Sequence, residues 1–182
     1  MIWENSLHRQ GMSPRSSSTE TRQTACDAAE RVLSPEKQSA WVGFLRAHSL
    51  VTKALDADLI ANFGLQLSAF EVLSKLEYAD DGRMRMSDLA EEALLSQSRI
   101  SRLVTELETK ELMERQSCKT DSRVVYAAIT DRGRKLLRQV EEHHFHGVDA
   151  RFFNGLKQSE IKTLAALWPR VIDSVAGTAK TR

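Results

Sequence analysis

Up to about residue 34 no apolar period is sustained, and beyond it hydrophobic side chains recur at helical steps. "SPEK" at 34 to 37 has the form of a helix start: Ser34 as N-cap, Pro35 at the first helical position and Glu36 in the first turn. Trp41, Phe44, Leu45, His48, Thr52, Leu55 and Leu59 then follow at three- and four-residue steps, predicting one helix of about 28 residues that Gly64 ends. Ser68 is expected to cap a second helix carrying Phe70, Val72, Leu73 and Leu76, which stops near "DDG" at 80 to 82. "RMRMS" at 83 to 87 has the form of a short strand, Ser87 of the start of a brief helix, and Ser96 or Ser98 of the start of another running to about Lys110. Strand-like runs at 112 to 116 and 124 to 129 make a hairpin. Thr130 caps a long helix to about Phe153, with a thin stripe of Leu136, Leu137, Val140, Phe145 and Val148. After Ser159 a last helix carries Ile161, Leu164, Trp168, Val171 or Ile172, and Val175 in near-heptad steps, and Pro169 predicts a kink or break within it.

This order is mainly α with a small β-hairpin. It predicts a winged helix-turn-helix over residues 65–130, helical dimerisation segments at 35–64 and 131–177, and a flexible tail at 1–34 in which Trp3 and Leu7 are the apolar exceptions. The first and last helices carry more apolar surface than a domain of about 60 residues could cover, so a second copy of the chain in a two-fold dimer is their best partner. The alternative is that the two helices pack on each other within one chain.

Composition narrows the picture only slightly. The 182 residues, 41% hydrophobic and 28% charged, suffice for one well-buried domain plus some tail. The net charge of +1 makes any basic surface local, and residues 81–135 carry eleven Lys or Arg against ten Asp or Glu. Cys26 and Cys118 are the only cysteines, which gives no disulfide framework and suits a reducing compartment. No apolar run reaches signal-peptide length or the roughly 20 residues of a membrane span, so a cytoplasmic location is expected. There is no phosphate loop, dinucleotide fingerprint or "GxSxG" elbow, so neither an enzyme nor a bound cofactor is expected.

The chemistry concentrates in "SDLAEEALLSQSRISRLVTELETKELMER", residues 87 to 115. Leu89 and Ala90 fit the inward face of a first short helix, and Ile100, Leu103, Val104 and Leu107 that of a second. Gln97, Ser98, Arg99, Ser101 and Arg102, beginning at Ser96, then face outward at the second helix's N-terminal end, where an amide, hydroxyls and guanidiniums suit major-groove reading of double-stranded DNA. A hairpin with a basic tip follows, "CKTDSRVVY" at 118 to 126, carrying Lys119, Asp121 and Arg123.

With "LAEEALLSQSRISRLVTELE" (89 to 108), "MERQSCKTDSRVVYAAIT" (113 to 130) and "TDRGRKLL" (130 to 137), the chain resembles the MarR (multiple antibiotic resistance regulator) family of bacterial transcription factors over about residues 36 to 176. The resemblance implies an all-α triangular dimer with two winged-helix lobes, a pseudo-palindromic operator and, often, release by a small aromatic or phenolic ligand. It also places Asp121 and Arg123 in the family's wing signature, the arginine entering the minor groove and the aspartate restraining it. Where the family usually has glycine after the recognition helix, this chain has Glu111, so a left-handed turn there would be strained. The expected function is therefore a dimeric regulator acting as a repressor.

Three further readings concern control. A crevice lined by Trp41, Phe44, Arg46, His48, Phe63 and Phe70 would suit an aromatic carboxylate or phenolate, although each aromatic also fits a core role and Arg46 a solvated one. In "EEHHFHGVD" (141 to 149) His143 and His146 share a helix face, but two ligands on one turn make no closed site; a metal-responsive regulator is an alternative, and no metal ligand is assigned. Cys118, beside the wing, is a candidate oxidant sensor. A winged helix used only for protein interaction is the remaining alternative, and it would leave Arg99, Arg102 and Arg123 dispensable.

Overall fold

The computed structural model describes residues 33–118, 121 and 123–179. The expected tail, with Trp3 and Leu7, and also Cys26 and Lys119, lies outside the described residues. The chain divides into two units between Leu45 and Arg46. Helix α1, Pro35–Phe63, begins as its cap predicts: Lys37 N–H donates to Ser34 Oγ at 3.4 Å and Gln38 N–H to the Ser34 carbonyl at 2.9 Å. A backbone hydrogen bond and the Ser34 hydroxyl hold the Glu36 carboxyl below its usual range. Within the first unit Trp41 and Phe44 form a tilted ring pair 5.8 Å apart, and both are exposed.

The second unit begins with the rest of α1, which ends where Gly64 turns left-handed at φ 61° and returns its N–H to Ile60. Then come α2 (Leu67–Glu77), a 3-10 turn (Asp80–Gly82), β1 (Arg83–Arg85), α3 (Met86–Glu92), α4 (Gln97–Thr109), β2 (Met113–Ser117), β3 (Val125–Ile129) and α5 (Asp131–Val148). A π turn at Asp149–Phe153 and helix α6 (Gln158–Ala179) close the chain. The three strands form one antiparallel sheet of order β1-β3-β2, so the expected hairpin gains a third strand on its far side. The core joins Leu59 and Leu65 to Val72, Leu73 and Leu76 of α2, Leu89 of α3, the inward face of α4, and Leu137 and Val140 of α5. Ile100, Leu103, Val104 and Leu107 are all buried, as the helical period requires.

Several boundaries move. Ser68 lies inside α2 and does not cap it; the Leu67 N–H is taken instead by Asp56 Oδ1 of α1 at 2.8 Å. Ser87 sits one residue inside α3, bonded to Asp88 Oδ1, and Arg85 occupies the cap position. Helix α6 starts one residue before Ser159, and the Lys157 N–H donates to Glu160 Oε2 at 2.7 Å, the returning half of a capping box. The long helix expected to reach Phe153 stays α-helical only to Val148, then widens into the π turn. Pro169 lies within α6 without breaking it. The carbonyl four residues earlier loses its usual donor, a cost an exposed helix can pass to water. Among the described residues no helix is long and apolar enough to cross a membrane.

Candidate nucleic-acid interface

Ser96 caps α4, its Oγ accepting the Arg99 N–H at 3.3 Å, which selects Ser96 over Ser98 as the helix start. That cap aims the first two turns outward: Ser96, Gln97, Ser98, Arg99, Ser101 and Arg102 are all exposed, while the opposite face supplies the buried stripe. Among the described residues Arg99 and Arg102 enter no ion pair, whereas the carboxylates further along α4 are occupied. Glu106 holds Lys110 at 2.8 Å and Glu108 holds Arg115. Along α4 the charges are thus spatially sorted, with Glu106 and Glu108 paired toward its C-terminal end and Arg99 and Arg102 in no ion pair among the described residues at its start.

The hairpin packs beside α4 through buried Met113, Ala127 and Ile129, and Arg115 fastens it there. On β2 this residue shares the inward parity of buried Met113 and sends its guanidinium into α4. Nη2 donates to the Ser101 carbonyl at 2.9 Å and Thr105 Oγ1 at 3.0 Å, Nη1 pairs with Glu108, and the Arg115 N–H donates to Glu108 Oε1 at 2.9 Å. Sequence reasoning missed this residue; a cation on the apolar parity of a strand was the available signal.

At the hairpin's end Asp121 and Arg123 are both exposed. The expected restraint runs through the backbone: Asp121 Oδ1 accepts the Arg123 N–H at 3.0 Å, and the Val124 N–H returns to the Asp121 carbonyl at 3.0 Å. Among the described residues no ion pair joins the two side chains, so the aspartate shapes the turn and leaves the guanidinium free. Cys118 is half-buried at the base of this turn, its N–H donating to the Val124 carbonyl at 3.0 Å.

The turn that sets the angle between α4 and the hairpin is left-handed at Glu111, φ 57°. Leu112 N–H returns to the Leu107 carbonyl at 2.9 Å, Thr130 Oγ1 donates to the Glu111 carbonyl at 2.8 Å, and Arg132 pairs with the Glu111 carboxylate at 2.9 Å. Thr130 also caps α5, accepting the Gly133 N–H at 3.0 Å, and a Cβ at Gly133 would strike the Leu112 carbonyl.

The residues expected to line a ligand crevice are not gathered in one place by contacts within the second unit. Arg46 and His48 are exposed on α1, Phe63 meets His143 edge-on at 5.3 Å, and buried Phe70 lies 4.6 Å from the His144 ring. Of these four, Phe70 alone lines the groove of about 470 Å³ that α2, the end of α3 and α5 enclose. Its apolar wall adds Leu94, Tyr78 and Phe145, and two buried polar atoms there, Ser74 Oγ and His144 Nδ1, have no hydrogen-bond partner among the described residues. Burial, then the neighbouring His143, push the His144 imidazole below its usual range, so it faces the groove neutral near pH 7. Glu141 pushes the Tyr78 phenol up and accepts its hydrogen bond at 3.3 Å. No group of three or more potential metal ligands occurs among the described residues, and His143 lies against Phe63 and Asn62, while His146 is exposed.

The MarR family model matches residues 65–125, the span from the start of α2 to the wing. The HTH-type transcriptional regulator MhqR of Bacillus subtilis (strain 168) is 30% identical over 112 residues, covering 62% of this chain and 75% of that protein. Among solved structures, AbsC, a MarR family transcriptional regulator from Streptomyces coelicolor, is 34% identical, with 81% of this chain and 99% of that chain covered and a TM-score of 0.72. Sco3205, a MarR family regulator from the same organism solved in complex with DNA, is 30% identical, with coverages of 79% and 90% and a TM-score of 0.73. With a winged helix-turn-helix of this geometry and relatives matched at this length, the chain belongs to the MarR family of transcriptional regulators.

Proposed function

We propose that this regulator is a dimeric repressor that binds a pseudo-palindromic operator, with α4 in the major groove and Arg123 of the wing in the adjacent minor groove. The observation that carries the reading is the Ser96-capped start of α4, where Gln97, Ser98, Arg99, Ser101 and Arg102 are exposed together and both guanidiniums are unpaired among the described residues. Those donors match base edges and phosphates, and a free guanidinium on the wing is drawn to the concentrated negative potential of a narrow minor groove. Sco3205, similar over most of its length, was crystallised with DNA, which favours the same partner here. Dimerisation is supported by uncovered apolar side chains on α6, where Val171, Ile172 and Val175 are 46%, 62% and 66% exposed and no described residue is buried.

The deciding experiment is a footprint at moderate salt on the DNA flanking the chain's own coding region. The expected result is a protected palindrome with half-sites about one helical turn apart. No protection would favour a protein-interaction module instead, for which Arg99, Arg102 and Arg123 are dispensable.

A second element of the reading is effector control, favoured by the two orphaned polar atoms in the groove of α2, α3 and α5. An aromatic hydroxyl has the complementary chemistry, a donor for His144 Nδ1 and an acceptor for Ser74 Oγ, and the groove's apolar lining of Phe70, Tyr78, Leu94 and Phe145 suits the ring. A neutral hydroxyarene fits better than a carboxylate, because Glu71, Glu92 and Glu141 line the groove, Lys75 lies 3.9 Å from Glu92, and His144 carries no charge to offer.

A further inference from the structure

The outward face of the three-stranded sheet carries a cluster that the DNA-reading assignment does not use. Register places Arg83 opposite Ala128 and Arg85 opposite Tyr126, with Tyr126 in turn opposite Gln116. Cross-strand partners share a face, so Arg83, Arg85, Tyr126 and Gln116 lie together on one side, and Met84, Ala127 and Arg115 lie on the side that meets the core and α4. Both arginines are exposed and Tyr126 is half-buried between them. The Arg83 guanidinium lies over the Tyr126 ring, 5.2 Å from its centroid, and also stands 3.7 Å from Asp81. Interaction with the Tyr126 side chain, first by hydrogen bonding, is the main cause pushing the Arg85 guanidinium above its usual range, with Asp88 adding to it. The two arginines thus differ: Arg83 lies on the ring and near Asp81, whereas Arg85 stands across the strand pair from Tyr126 and is open to solvent.

Position gives this orientation a use. Arg85 immediately precedes α3, and the Gln97 side chain at the start of α4 reaches the Ser87 carbonyl at 3.5 Å. Its partner Tyr126 lies three residues beyond Arg123, one rung from the last pair of the wing, Ser117 with Val125. Arg85 is therefore linked to the start of α4 through Ser87, two residues on, and to the base of the wing through Tyr126. What separates adjacent grooves of a duplex is a sugar-phosphate strand.

Resting on the DNA-reading assignment above, we propose that Arg85 contacts an operator backbone phosphate, and that Tyr126, clasped by Arg83, is the positioning residue that holds its guanidinium there. A phosphate contact carries no base information, so it adds affinity and salt dependence equally on every sequence, while pre-orientation reduces the ordering cost of a long side chain.

The test measures affinity of the full chain for the footprinted operator duplex and for a random duplex of equal length, across a salt series. Arg85→Ala is expected to lower the slope of log affinity against log salt by about one and to weaken both duplexes alike, whereas Arg85→Lys keeps the slope. Tyr126→Phe is expected to weaken binding by about 3- to 10-fold, the worth of one hydrogen bond, in the otherwise native chain and to change nothing in the Arg85→Ala background. An unchanged slope in Arg85→Ala overturns the proposal, as does an equal Tyr126→Phe loss in both backgrounds, which would mark the tyrosine as merely structural. If the native chain binds neither duplex, the DNA-reading assignment falls too; if Arg123→Ala lowers the slope and Arg85→Ala does not, only this inference falls.

Discussion

At Glu111 a single residue carries a conflict between backbone and side chain. Its φ of 57° is a conformation that costs a residue with a Cβ about 1 kcal/mol relative to glycine. Against this stands an ion pair to Arg132 in which both side chains are largely exposed, at 75% and 67%, and such a pair contributes under about 1 kcal/mol. The bonds that fix the turn, from Leu112 N–H to Leu107 and from Thr130 Oγ1 to the Glu111 carbonyl, involve only backbone atoms at 107, 111 and 112 and survive substitution. Glu111→Gly is therefore expected to raise the melting temperature by a few degrees, and Glu111→Ala, which loses the ion pair and keeps the strain, to lower it slightly. Thermal denaturation followed by circular dichroism distinguishes them; a glycine variant no more stable than the native chain would mean that the Arg132 contact outweighs the strain. The strain was legible because the glycine expected after such a helix is missing from the sequence. The caps at Ser34, Ser96 and Thr130 were legible for a similar reason, since each acts on an N–H three residues ahead. Ser68 misled because Asp56, eleven residues upstream of Leu67 on another helix, takes the Leu67 N–H, the first free one of α2, and nothing local in the sequence marks that approach.

Between elements, Arg115 adds a polar clamp to the apolar packing of Met113, Ala127 and Ile129 that joins the wing to α4. Four hydrogen bonds from its guanidinium and N–H reach Ser101, Thr105 and Glu108, spanning two turns of the helix from one strand position. With both side chains of the Arg115–Glu108 pair about 30% exposed, at 30% and 28%, removing the cation strands a carboxylate that water only partly reaches. Arg115→Ala is expected to cost about 1–3 kcal/mol, read as a lower denaturation midpoint. It should also narrow the affinity ratio between operator and random duplex more than the salt slope changes, because the guanidinium orients the reading elements without meeting a phosphate. A variant that loses the salt slope and keeps its discrimination would instead make Arg115 a DNA contact. Element order and the inward faces of α3 and α4 follow from periodicity, which is a local property. The third strand was half visible in "RMRMS", but its place beside β3, and hence the pairing of Arg85 with Tyr126, depends on a register between residues some forty positions apart.

Across the whole molecule, effector control requires that a ligand in the groove discriminate between arrangements of the DNA-reading lobe. The groove offers a direct route, because its wall includes Ala93 and Leu94, the turn joining α3 to α4, and that turn leads straight to the Ser96 cap. Leu94 holds a left-handed φ of 53° with its side chain 92% exposed, so this turn combines backbone strain with an uncovered apolar group, both of which a bound ring could relieve. A ligand that prefers a shifted turn must then weaken operator binding, and the operator must weaken the ligand by the same factor, since coupling between two sites is reciprocal. Catechol, as a neutral hydroxyarene probe, is expected to reduce operator affinity by about 5-fold or more, within the usual range of allosteric coupling. Benzoate should do less, facing the groove's carboxylates and an uncharged His144. Ser74→Ala combined with His144→Phe should abolish the catechol effect and leave operator affinity without ligand unchanged, because neither side chain lies on α4 or the wing. An undiminished response in the double variant would move the effector site away from this groove, and a stronger response to benzoate would reverse the charge preference argued for it.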